Sequence, residues 1–148
     1  MVIWALAGND FSDAFQIQLR FKVDIAEDGY ITLFSNDCGS SDPSIIVKYN
    51  SLSNQYQVFF RDNNGTTTLD CQAQSTPQDF VTVSLELQEG RFALVVDGQA
   101  ACQPTAFAGQ PPISQCPLTL GGDPLGVDSN LNGYMDEIVI RRYCVITV

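Results

Sequence analysis

The residues best suited to chemistry lie in one stretch near the end of the chain, Leu118 to Ile140, LTLGGDPLGVDSNLNGYMDEIVI. Within it Asp128-Ser129-Asn130-Leu131-Asn132-Gly133 follows the pattern D-x-N-x-N-G. Oxygen side chains at alternate positions can converge on one hard cation, and the glycine permits the turn, so Asp128, Asn130 and Asn132 are candidate calcium ligands. The twelfth position of a calcium loop needs a bidentate glutamate, and here it is Val139, so the helix-flanked calcium loop is excluded. Asp123, Asp37 or backbone carbonyls are the expected completion of such a shell. The opposing view is that Asp and Asn simply make good loops.

Catalytic chemistry has fewer candidates. The chain contains no histidine, which removes Ser-His-Asp and Cys-His nucleophilic machinery and the usual zinc sets. Asp136 and Glu137 are adjacent, so on a regular strand they face opposite ways and cannot share one bond. Asp136 is expected to accept a hydrogen bond from turn backbone, and no enzymatic activity is expected. A sugar site needs exposed aromatics beside hydrogen-bonding side chains. Tyr49, Phe59 and Arg61 are the candidates, near Lys48 and Gln57. On the same strand Tyr56, Val58 and Phe60 share the opposite face and read as core. Trp4 reads as a packing anchor.

The elements that must position these residues are strands. Phe15, Ile17, Leu19, Phe21, Val23 and Ile25 alternate with Gln16, Gln18, Arg20, Lys22 and Asp24, the signature of a strand with one buried and one wet face. Further strands are predicted at 30–35, 45–50, 55–61, 66–73, 80–87, 92–96 and 99–102. Turn chemistry separates them, including Asp97-Gly98, a strong hairpin signal. In the final strand the alternation slips at Asp136-Glu137, which predicts a β-bulge. No window carries a useful helical period. Around ten strands joined by short turns predict one all-β domain over 1–148, a two-sheet antiparallel sandwich.

Charge and cysteines bound the partners. Seventeen acidic residues against seven basic give a net charge of -10. Such a chain repels phosphate backbones and anionic membranes, so no nucleic-acid partner is expected. No apolar run reaches the ~20 residues of a membrane helix, so no membrane insertion is expected. The opening MVIWALAGND lacks the basic start and the long apolar centre of a secretory leader. Five cysteines nevertheless suit an oxidising, extracellular setting, and the odd count leaves one thiol over. The expected pairing is Cys102 with Cys116 across a proline-rich loop and Cys38 with Cys71, with Cys144 left over; other connectivities stay open. Asn64-Gly65-Thr66 is an acceptor sequon for N-glycosylation in an evident turn.

Taken together, FQIQLRFKV, DFVTVSLELQEGRFALVVDGQAA, LTLGG and LNGYMDEIVI resemble the laminin G-like members of the concanavalin A-like jelly rolls. Gly90-Arg91 and Val96-Asp97-Gly98 match that family's G-R-x-x-L-Y-V-D-G hairpin, and Gly133 to Ile140 matches its closing G-x-I-D-E-V-x-I. Phe80-Val81-Thr82-Val83 stands where the family carries a W-H-V segment. The resemblance spans about Val2 to Tyr143. It implies two sheets packed as a jelly roll, with binding at a loop edge or on the concave sheet, often with calcium. The E-x-D-x-x-E carboxylate spacing of the related glucanases does not occur here. The resulting expectation is a non-catalytic extracellular recognition or adhesion module that binds a glycan or an extracellular protein through its loop edge, with calcium as an aid. Its rival is a structural subunit of a secreted fibre, coat or matrix, self-assembling through strand edges.

Overall fold

The computed structural model describes residues 2–3, 14–25, 29–39, 44–62, 65–73, 79–106 and 115–143. Trp4, Asn64 and Cys144 lie outside the described residues. Alternating sequence becomes alternating burial: in β2 (Phe15–Val23) Phe15, Ile17, Leu19 and Phe21 are buried while Gln16, Gln18 and Arg20 are half exposed. The other strands are β1 (Val2–Ile3), β3 (Ile31–Ser35), β4 (Ser44–Asn50), β5 (Gln55–Asp62), β6 (Gly65–Gln72), β7 (Val81–Gln88), β8 (Arg91–Val96), β9 (Gln99–Ala100), β10 (Thr105–Ala106), β11 (Leu118–Leu120) and β12 (Gly133–Arg142).

They form two antiparallel sheets. Sheet one has the order β1-β11-β3-β4-β5-β6, and sheet two β10-β8-β7-β2-β12, with β9 added to β8. The core fills the space between them, and aromatic rings bridge it. Phe21 of sheet two meets Tyr49 of sheet one edge-on at 5.4 Å, and Phe60 stacks on Phe92 at 3.7 Å between ring centres. Large rings of this kind supply much of a small sandwich's apolar burial. Among the described residues there is no helix.

Turn chemistry behaves as the sequence predicts. Asp97 and Gly98 both hold positive φ, 49° and 77°, as a type I′ hairpin demands, and the Asp97 carboxylate accepts the Thr82 N–H at 2.9 Å. The predicted bulge is present: the β12–β2 register shifts between Asp136 and Val139, and Glu137 has φ 50°. Asp136 accepts the Glu137 N–H at 2.8 Å, the backbone role expected of it. At Gly133 a Cβ would stand 2.0 Å from the Lys22 carbonyl oxygen, so only glycine lets β12 start against β2.

The cysteine pairing differs from the expected one. Cys38 bonds Cys116 and Cys71 bonds Cys102, with Cα–Cα distances of 5.7 and 4.8 Å. Strand order is the reason. β11 lies antiparallel to β3, so Cys116, just before β11, meets Cys38, just after β3. The Gln72 N–H reaches the Ala101 carbonyl at 3.2 Å, which sets Cys71 beside Cys102 and ties the edges of the two sheets. A bridge of this kind typically contributes about 2–4 kcal/mol.

Candidate functional site

The loop 121–132 is held by its own groups. Asp123 accepts N–H bonds from Leu125, Val127 and Asp128 at 2.9, 2.6 and 2.9 Å. Burial on its own would raise its pKa, but those three donors and nearby Lys48 outweigh that and hold the carboxyl below the ordinary range. The Asp128 carboxylate takes the Lys48 ammonium at 2.5 Å and the Thr32 hydroxyl at 3.1 Å. Backbone bonds complete the anchorage: Ser129 N–H to the Tyr30 carbonyl at 3.0 Å, and Leu131 N–H to Gly121 at 2.9 Å. Asn130 packs over Gly122, and the Asn132 carbonyl accepts the Asp24 N–H.

These residues do not fit a calcium ion. An ammonium already neutralises Asp128, three amides occupy Asp123, and a dication would have to displace them. Among the described residues no three acidic or cysteine side chains gather in one cluster. Asp37 is engaged elsewhere, as described next.

The sugar candidates separate. Tyr49 is fully buried in β4, so it belongs to the core and offers nothing to a ligand. Its parity with Ile45 and Val47 sends it inward, where its hydroxyl donates to Asn54 at 3.3 Å and burial pushes its pKa up to about 12. Phe59 and Arg61 do lie together on the outer face of sheet one. The Arg61 guanidinium stands 5.7 Å from the Phe59 ring centre and pairs with the buried Asp37 carboxylate at 3.5 Å. Beside them Gln57 donates to Asp70 at 2.9 Å. On this face the polar groups answer one another.

The outer face of sheet two carries a cluster that the sequence reading passed over. Register places Gln16 of β2 between Glu86 of β7 and Arg141 of β12. The Gln16 amide donates to the Ser84 hydroxyl at 2.9 Å and to Glu86 at 2.8 Å, while its oxygen accepts from Arg141 and, at 3.4 Å, from the Tyr143 hydroxyl. Ser84 in turn donates to Glu86 at 3.1 Å. Four residues along β2, about 13 Å away at the usual strand rise, is Arg20. Its guanidinium covers the Phe80 ring at 4.7 Å, and the bulged Glu137 reaches it at 3.4 Å. Three aromatics stand open on or beside this face: Phe80 at 38% exposure, Tyr134 at 59% and Tyr143 at 38%. Planar rings with fixed guanidinium, amide and carboxylate groups suit a ligand that has both apolar and hydroxyl-rich faces.

The whole-chain comparison decides the family. The family model described as the concanavalin A-like lectin/glucanases superfamily, of laminin G type, matches residues 5–145. The chain belongs to that superfamily.

The fold is shared with solved structures of low sequence identity. The mouse laminin α1 chain, domains LG4-5, superposes with a TM-score of 0.66 at 15% identity, covering 90% of this chain and 36% of that one. The CBM40 of the Ruminococcus gnavus IT-sialidase, bound to α2,3 sialyllactose, gives 0.70 at 17% identity, covering 90% and 78%. Domain 4 of AbnA, a GH43 extracellular arabinanase from Geobacillus stearothermophilus in complex with arabinotriose, gives 0.60 at 15%, covering 87% and 60%. This chain therefore spans about a third of the laminin structure and most of the CBM40. No curated protein matches it.

Proposed function

We propose that this domain is a non-catalytic extracellular recognition module that binds a glycan on the outer face of sheet two. The observation that carries the reading is the Gln16–Ser84–Glu86–Arg141–Tyr143 network, with the open Tyr143 ring at its edge; Phe80 and Tyr134 stand on the same face about 20 Å along β2, level with Lys22. Sugars present hydroxyls to such polar groups and C–H faces to such rings. Arg141 adds a charge-assisted donor, so an acidic sugar gains most. The superposed CBM40 and AbnA domains, which hold sialyllactose and arabinotriose, support a glycan as the ligand.

The non-catalytic part rests on how the carboxylates are used: Glu86 accepts from Gln16 and Ser84, Asp136 from backbone, and Glu137 pairs with Arg20. Two disulfides support an oxidising, extracellular setting. The test is a glycan array of acidic and neutral oligosaccharides probed with the wild type and with Arg141→Ala. Binding that is strongest for acidic glycans and lost in the variant supports the reading. Absence of any binder, or binding indifferent to Arg141, overturns it.

A further inference from the structure

Two long strands end the two sheets, and they are built differently. β12 closes sheet two with a bulge, a positive φ at Glu137, and the charges of Asp136, Glu137, Arg141 and Arg142. Bulges and charges are the usual devices that keep an edge from pairing. β6 closes sheet one without a bulge, and its one positive φ is at Gly65, where it begins. It runs eight residues, GTTTLDCQ, in unbroken register with β5, without proline and with one charge, Asp70. Gly65, Thr66, Thr67 and Thr68 are all exposed, so neither face of this half is covered.

The direction of its free backbone groups follows from one bond. The Gln72 N–H leaves β5 and donates to Ala101. Residues of the same parity on a regular antiparallel strand point their N–H and C=O the same way, so Thr68 and Thr66 face outward and Thr67 and Leu69 face β5.

We propose that β6 pairs antiparallel with β6 of a second copy of this chain. Thr66 of each copy stands opposite Thr68 of the other, and Thr67 meets its own counterpart across the twofold axis. This register makes four N–H···O bonds between the copies and stays clear of the end that Ala101 occupies. It sets threonine against threonine, a favourable cross-strand match, and puts no charge opposite its like at those three positions. The two six-stranded sheets then become one continuous sheet. Elsewhere two copies of a chain carrying -10 repel, so the near-neutral edge is where contact costs least.

Sedimentation velocity on the intact domain, produced without N-linked glycan, tests this at low and high salt. The wild type is expected to form a dimer whose population rises with concentration and with salt, as screening weakens the repulsion. Thr68→Pro removes an outward N–H that β5 does not use, so the monomer keeps its fold while self-association weakens about tenfold. Amide exchange gives an independent reading: on dimerisation Thr66 and Thr68 slow, while Thr67 and Leu69 stay as they were. A monomer at every concentration and salt overturns the proposal. So does a dimer that survives Thr68→Pro, or one in which the Thr66 and Thr68 amides exchange as fast as in the monomer.

Discussion

The outer faces of the two sheets are made from similar residues put to different uses. On sheet one each cation we can follow has an acid of its own: Lys48 takes Asp128 and Arg61 takes the buried Asp37. Those pairs pin the loop 121–132 and the segment after β3 to the sheet, and the face is spent on holding the fold. On sheet two Arg20 takes Glu137 in the same way, but Arg141 is aimed by a neutral amide, and the exposed Tyr143 ring stands beside it. A guanidinium oriented by an amide oxygen keeps its charge for something else. If the proposed site is right, a binding face is marked by polar groups whose partners leave them unsatisfied, not by a count of basic or aromatic residues.

The largest expected effect separates the faces by binding. Arg141→Ala or Gln16→Ala should weaken glycan affinity ten- to a hundredfold, the usual consequence of losing a charge-assisted hydrogen bond or the group that aims it. Arg61→Ala should change it less than twofold in the same titration calorimetry. If the two faces respond equally, the contrast between them fails.

The next effect reverses the roles. Lys48→Met leaves Asp128 half-buried without its cation and should cost about 1–3 kcal/mol in denaturant unfolding, with glycan affinity unchanged. Added calcium should leave the melting temperature of the wild type where it was, since a ligand of the native state would raise it. A clear rise would return the loop carboxylates to the role of metal ligands.

Titration sharpens the picture from both ends of the pH scale. Asp123 is held below its ordinary range in the fold, so its contribution to stability is present above the unfolded value and lost as pH falls through the folded one. Tyr49 is raised to about 12 and Tyr56 higher still, chiefly by burial. Both phenols ionise near 10 in an unfolded chain, so their contribution is intact below pH 10 and declines as pH rises beyond it. Unfolding midpoints measured from neutral to alkaline pH should fall from that point onward.

The smallest effect lies under sheet one. Among the described residues the buried Tyr56 hydroxyl has no hydrogen-bond partner, whereas that of Tyr49 holds Asn54. Tyr56→Phe should therefore be neutral or stabilising by about 1 kcal/mol, and Tyr49→Phe destabilising by a similar amount, in matched thermal melts.

The sequence made the strands legible because half-buried strands leave a period of two, and the slip at Asp136-Glu137 revealed the bulge before any coordinates. The same parity already placed Tyr49 with Ile45 and Val47, so its inward direction was readable too. Strand order was not. Gln16, Glu86 and Arg141 are about 125 residues apart at their extremes in the chain, and only the order β12-β2-β7 brings them together. The disulfide pairing was hidden for the same reason, since it depends on β11 lying against β3. Lys48 gave no sign of its partner either, because the ion pair joins residues 80 positions apart in the chain.

The central claim is that ligand contact belongs to sheet two. A map of backbone amide shift changes during titration with an acidic oligosaccharide tests it most directly. The account predicts changes confined to β2, β7, β12 and the approach to Phe80 and Tyr143, with β4 to β6 and the loop 121–132 silent. Changes centred on Phe59 and Arg61, or on Asp123 and Asp128, would contradict it.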